Sequence, residues 1–435
     1  MYFCNTNLVI QAATNSLKES DYMKNFLLSL TLTMAVTAVW AQKTMDVTVE
    51  NTVKEGRENV PVTIPLDAQL GGMKCVRVMS DGVEVPSQLD DFDRDGTMDE
   101  LCFMTSLKKK EKKTFQVVFS NEVSEVKSAA PRVYAQMMLT NKKVKASNKQ
   151  NLYINSLTVE NGTNPYWMLH HHGPAFENEL VAYRIYFDHR QTVDIYGKYR
   201  KGLELKDTQF YPDAQQKADG YGDDVLWVGE TFGLGALRGW DGVKPQMLTD
   251  VAYRTLKVVA AGPLRTVVEV VDEGWKAPGC KSDDGRLTMT TRYTLYAGRR
   301  DCRVDVNFAE PVGECTFATG IINVKNSVEM SDKKGLRGCW GTDWPVSEKD
   351  SAGHKRETVG LGICIPVRNV VSELPADKDN YPFVIGNIDR SLTYYISFCS
   401  DNESFGYHSA EEWFAYMREW KKDVESPVSI KVACP

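Results

Sequence analysis

The chain has 435 residues, of which 42% are hydrophobic and 25% charged, with 31 Gly and 17 Pro. Those values exclude a disordered, collagen-like or disulfide-knotted chain and suit two or three folded units. The net charge of -6 comes without the basic stripe of a nucleic-acid binder, and six His are few for a His-rich metal centre.

Residues 1–22 read as an over-extended start that adds no structure. Residues 23–41, MKNFLLSLTLTMAVTAVWA, combine Lys24, an apolar stretch and Ala41 before a cut, the pattern of a secretory signal peptide. The apolar stretch is shorter than the ~20 residues of a membrane span. A mature chain beginning at Gln42 is therefore expected in the periplasm or outside the cell, without membrane insertion after cleavage. Ten Cys less Cys4 leaves an odd nine. No spacing defines a zinc site, and no disulfide is assigned; Cys302 and Cys364 read as core residues.

Beyond Gln42, period-two alternation dominates, as in Val60, Val62 and Ile64, and turn pairs such as Asp81-Gly82 and Gly262-Pro263 separate the runs. The fold class is all-β. A small β-sandwich is expected over 42–127, a linker near 122–131, and a large β-sandwich over 128–435. The run from Lys108 to Lys113 reads as a solvated hairpin turn. One helix is expected over 410–422, with Trp413, Tyr416, Met417 and Trp420 on one face.

Within the small unit, residues 91–100 spell D-x-D-x-D-G-x-x-D-E. Asp91, Asp93, Asp95 and Asp99 on a tight loop could converge on one Ca²⁺ as a structural ion, and Gly96 allows the turn; the alternative is a bare acidic turn. No organic cofactor is expected.

The richest polar stretch runs from His170 to Arg200. Read as extended, His170-His171-His172 cannot turn all three rings to one site. Over 180–200, a hairpin would set Arg184, Tyr186 and Asp188 beside Asp194, Tyr196 and Lys198 on one sheet face. Arg184 or Lys198 could neutralise a uronate, Tyr186 or His172 could move a proton, and Asp188, Asp194 and Tyr196 could bind sugar hydroxyls. A solvated face of cross-strand ion pairs would look similar. Further on, Asp223, Trp227 and Trp240 could contact a sugar, and Arg265 shares a strand face with Glu269.

The blocks HGPAFENELVAYRIYFDHRQTVDIYGK, residues 223–235 and AGPLRTVVEVVDEGW, with the SQLDD approach to the aspartate loop, resemble domain-of-unknown-function family 4861 over nearly the whole mature chain. Phe176 stands where a Trp is expected, and Tyr221-Gly222-Asp223 where the family has a Trp-Gly pair. The resemblance implies an exported bacterial protein, often found in sets of glycan-degrading genes, whose large unit is a galactose-mutarotase-like β-supersandwich similar to polysaccharide-lyase domains. The expected partner is an oligosaccharide or polysaccharide, with no nucleic acid. The expected activity is a polysaccharide lyase or glycoside hydrolase acting on acidic glycans, with His172, Glu177 and Tyr186 as catalytic residues. The alternatives are an aldose epimerase with Glu177 or Glu269 as base, and a glycan-binding protein without turnover.

Overall fold

The computed structural model describes residues 42–121, 129–141, 151–280 and 285–433. The expected export segment, the start before it and most of the expected linker lie outside the described residues. The chain is 46% strand and 10% helix, so the all-β expectation holds.

The small sandwich packs two antiparallel sheets. One carries Gln42–Glu50, Lys112–Ser120, Cys75–Ser80 and Val83–Val85; the other carries Arg57–Pro65, Glu100–Leu107 and Ser87–Asp90. Alternation puts Val47, Val49, Val62, Val78, Phe103 and Phe115 between them, all buried. The lysine run is an arch and not a hairpin. Glu100–Leu107 and Lys112–Ser120 follow one another in sequence but pair in opposite sheets, so the chain crosses the core there. The strand Ser429–Ala433 returns from the far end of the chain to pair with Gln42–Glu50, with Asp46 opposite Ala433.

The large sandwich faces a nine-stranded sheet against a second layer made of two five-stranded sheets. Isolated bridges from Val193 to Gly233 and from Leu234 to Ile321 join those two sheets through one segment. Val268, Val270, Tyr293, Val304 and Val306 of the nine-stranded sheet share one core with Phe176, Tyr183, Ile185, Val193 and Ile195 of the second layer. Phe176 is thus a core ring and no platform. Cys280 and Cys315 are joined in a disulfide, a pairing across 35 residues that no spacing announced. Cys302 and Cys364 are buried, free thiols, as expected.

The helix Ala410–Glu425 begins at the Ser409 cap, whose hydroxyl accepts from the Glu412 amide. Its Trp413, Phe414, Met417 and Trp420 pack on Leu336, Cys364 and Cys399 of the nine-stranded sheet. No helix among the described residues is long and apolar enough to cross a membrane.

Side chains from both units make the junction between the sandwiches. Gln88 accepts from the Leu264 and Arg265 amides and donates to the Arg265 carbonyl. Arg265 is buried and paired with Asp90 and Glu100, and its guanidinium lies over the Phe92 ring. The strand face that appeared free for a sugar is covered by the small sandwich, so Arg265 holds two units together where sugar binding was expected.

Candidate functional site

The strands Ala182–Ile185 and Val193–Gly197 form the expected hairpin, with Arg184 opposite Asp194 and Ala182 opposite Tyr196. Odd-numbered Tyr183, Ile185, Val193 and Ile195 fill the core, and the even-numbered side chains emerge on the outer face of the layer. There Arg184 donates through Nε and Nη2 to Asp194 Oδ2 at 2.9 and 2.6 Å, through Nη1 to the Tyr211 hydroxyl at 2.8 Å, and through Nη2 to Asp224 at 2.8 Å. The Tyr186 hydroxyl donates to Asp194 Oδ2 at 2.8 Å. A single guanidinium thus serves two carboxyl groups. Burial, followed by the neighbouring Asp194 charge, pushes the Asp224 carboxyl well above the usual carboxylate range, with Arg184 opposing. Asp194 is fully buried, whereas the Asp224 side chain keeps 19% of its exposure and is the carboxyl of the two that solvent reaches.

Beside this network stands an aromatic shelf. The three histidines form a tight 3-10 turn and are not extended, with positive φ at His171 (43°) and His172 (68°). L-residues adopt that conformation at some cost, and such strain clusters at functional sites. Gly173 makes the turn possible, because a Cβ there would lie 1.7 Å from the Ile185 carbonyl oxygen. The ring of His172 stacks on Tyr166 with centroids 3.7 Å apart and stands 6.1 Å from Tyr186. Trp167, 73% exposed, meets His172 edge-on at 5.1 Å. Arg190 lies over both Tyr166 and Tyr186 and is held by Asp188 through two hydrogen bonds.

His172 Nδ1 lies 3.0 Å from the Tyr166 carbonyl oxygen. A carbonyl only accepts, so Nδ1 carries the hydrogen and Nε2 is left with its lone pair. Burial lowers the pKa of His172 to about 4 despite that hydrogen bond, and the Arg184 and Arg190 charges act in the same direction. The imidazole is therefore neutral at neutral pH. His171 is buried within 3.4 Å of the Gln136 amide, and burial likewise keeps it neutral.

Other expected site residues are placed elsewhere. Glu177 and Lys198 are both wholly buried and paired at 2.5 Å; Lys198 also donates to the carbonyls of Asn178 and Gly202. Glu177 accepts from the amides of Glu204 and Leu205. The segment 200–222 has closed over this half of the sheet face, so neither charge meets solvent. Tyr196 is buried in the same apolar patch as Leu205 and Phe210. Asp223 pairs with Lys217. Trp227 is 46% exposed, and Trp240 sits in a short strand, Arg238–Trp240, paired with Pro245–Gln246. Glu269 faces Arg292 across the sheet as an ion pair. Three structural ties therefore stand where catalytic or binding roles were expected, at Glu177, Lys198 and Arg265, because each side chain is already neutralised inside the protein.

The residues missed in the sequence are Tyr166, Trp167, Arg190, Tyr211 and Asp224. Asp224 reaches the cluster because Gly222 lies against the preceding strand, where a Cβ would come within 2.0 Å of the Gly197 carbonyl oxygen. A cavity of about 250 Å³ adjoins the shelf, lined by residues that include Pro165, Asp188, His189 and Arg254. In the aspartate loop, Asp91, Asp93 and Asp99 each bring an oxygen within 4.8 Å of the others. Asp95 is not among them, and all four carboxylates accept from backbone amides of the loop.

The family model described as domain of unknown function (DUF4861) matches residues 49–430. The chain belongs to the DUF4861 family. No curated protein matches it. Among solved structures, it is similar to a protein in glycosyl hydrolase family 38 from Enterococcus faecalis, with a TM-score of 0.45, 11% identity, and coverage of 99% of this chain and 53% of that one. An alpha-mannosidase from Enterococcus faecalis V583 follows with a TM-score of 0.41, 11% identity, and coverage of 98% and 51%. This DUF4861 chain spans about half the length of each.

Proposed function

We propose that this DUF4861 protein is an exported carbohydrate-active enzyme that cleaves acidic oligosaccharides by β-elimination at the Arg184 cluster. The observation that carries the reading is a neutral His172, its Nε2 lone pair free of the Tyr166 hydrogen bond, together with an Asp224 carboxyl whose hold on its proton burial and the Asp194 charge strengthen. One group can take a proton and the other can give one. In the proposed step, His172 removes the proton at C5 of a uronate, the C4–O bond breaks, and its electrons leave with O4 as C4=C5 forms. Asp224 delivers a proton to the departing oxygen. Arg190 would face the uronate carboxylate, and Trp167 would carry a neighbouring sugar ring on its apolar face. Lyase chemistry is favoured over hydrolysis by the enclosure of Asp194 and Glu177, which takes both carboxylates out of reach of a substrate.

The test is a screen of the protein against uronic-acid-containing oligosaccharides, followed by product mass and by the ultraviolet absorbance of the new double bond. Smaller products with that absorbance support the reading. Smaller products without it would replace elimination by hydrolysis, and binding without any product would replace enzyme by glycan-binding protein.

We also propose that Asp91, Asp93 and Asp99 hold one Ca²⁺. Three oxygens all within 4.8 Å of one another are close enough to share a single Ca²⁺. The loop begins just after Asp90 and ends just before Glu100, the two carboxylates that hold Arg265, so ordering it would stabilise the junction. Chelation with EDTA is expected to lower the melting temperature by roughly 5 °C, the shift for an ion present at about a hundred times its dissociation constant. An unchanged melting temperature would refute the site.

A further inference from the structure

A larger cavity, of about 630 Å³, lies where the small sandwich, the nine-stranded sheet and the helix Ala410–Glu425 meet. None of its lining residues belongs to the Arg184 cluster. We propose that it is a second binding site and that it takes a neutral saccharide.

The cavity has the size of a small-molecule site, with aromatic walls and a few polar groups at fixed positions. Tyr416 stacks nearly parallel to Trp420, 6.3 Å away, and Tyr407 lies 5.1 Å from Tyr416. Such rings present apolar faces to the C–H face of a sugar. The arginines on the wall and Lys422 are already matched, and Glu55, Glu58 and Lys201 line the cavity beside them. Arg300 is held by both oxygens of Glu403, Arg299 by both oxygens of Asp301, and Arg57 by Asp423 at 3.2 Å. Lys422 pairs with Glu419 at 2.7 Å. An anionic ligand would have to compete with those carboxylates for the arginines and would lie beside Glu55 and Glu58. A polyhydroxylated neutral ligand instead accepts from the remaining N–H groups and donates to the remaining carboxylate lone pairs, without separating any pair.

A further observation points the same way. The indole N–H of Trp420 is buried and has no hydrogen-bond partner among the described residues. An unmet buried donor is costly, and a ligand oxygen could satisfy it after a small displacement of the wall. The site spans both sandwiches and the helix, so occupancy would tie them together.

Isothermal titration with cellobiose, maltose and lactose as neutral probes, and glucuronic acid as the anionic one, tests the proposal. At least one neutral disaccharide should bind. Ser426→Trp, which places a bulky ring in the cavity and keeps the other lining groups, should abolish that binding with the melting temperature preserved. Trp420→Phe, which keeps a ring and removes the donor, should weaken it about tenfold, the scale of one hydrogen bond. If either variant fails to fold, the other carries the test. The proposal is overturned if no neutral disaccharide binds, if the folded variant binds as tightly as the parent, or if glucuronic acid binds more tightly than the neutral sugars.

Discussion

Replacing His172 with Gln, or Asp224 with Asn, is expected to lower kcat by about 10²–10⁴, with a much smaller change in substrate affinity. In the proposed step one group takes a proton and the other supplies it; Asp224→Asn leaves the aromatic shelf intact, whereas His172→Gln also removes the ring that stacks on Tyr166. The pH profile carries more information than the rate. Activity should rise as pH climbs through about 4, where His172 becomes neutral. It should fall where Asp224 loses its proton, well above the usual carboxylate range. His172→Gln should erase the acid limb and Asp224→Asn the alkaline one. If both variants keep the limbs of the parent, the assignment of base and acid is wrong. Stability should follow the same groups. A histidine whose pKa is lowered on folding costs stability as pH falls from about 6.5, its unfolded value, towards 4, and the loss is complete below that. Urea unfolding of the parent and His172→Gln across that window should therefore diverge least near pH 7. Asp224 has the opposite sign, because a carboxyl that keeps its proton in the folded state costs stability as pH rises above its unfolded value.

The largest stability effect is expected at Lys198. Changing it to Met leaves Glu177 buried without its cation and leaves the Asn178 and Gly202 carbonyls without their donor. Breaking one member of a buried pair costs about 3–5 kcal/mol, because the remaining charge is uncompensated. Denaturant unfolding should register this as a lower midpoint. Glu177→Gln combined with Lys198→Met should recover part of the loss, since the amide no longer carries a charge. Recovery in the double variant separates the buried-charge argument from simple loss of packing, and a double variant worse than both singles would sink it. Activity should fall as well. Glu177 holds the Glu204 and Leu205 amides, and the Glu204 carboxylate holds the Gly222 amide, two residues before Asp224. Relaxing the pair loosens the segment that carries Asp224, the proposed acid.

Much of this arrangement was legible in the sequence, and the limits are physical. Period-two alternation between Tyr183 and Tyr196 specified the hairpin and the facing of Arg184 and Asp194, because a pleated strand gives no other choice of face. Alternation says nothing about what covers a face. Arg265 and Lys198 both read as free polar positions, yet one is covered by the small sandwich and the other by the segment 200–222, each contact made by residues distant in sequence. The histidine turn was misjudged for a different reason. His171 and His172 take positive φ, which alternation does not signal, and the close approach of Gly173 to Ile185 goes with it. Tyr166 and Trp167 gave no periodic signal, since they sit in a loop whose course depends on stacking against His172. Asp224 was visible beside Asp223, but spacing alone could not tell which of the two carboxyls turns toward Arg184.

The pairing of Ser429–Ala433 with Gln42–Glu50 bears on how the chain is made. A ribosome releases residues from the N-terminus onward, so the first sheet waits until Ser429–Ala433 is made before its outer strand exists. Until then Gln42–Glu50 presents an open row of amides and carbonyls, the kind of edge that recruits strands from other molecules. The register from Asp46 to Ala433 also joins residues far apart in sequence, which places it late among folding events. Completion of the small sandwich thus follows synthesis of the large one, and the nascent protein exposes that edge in the interval.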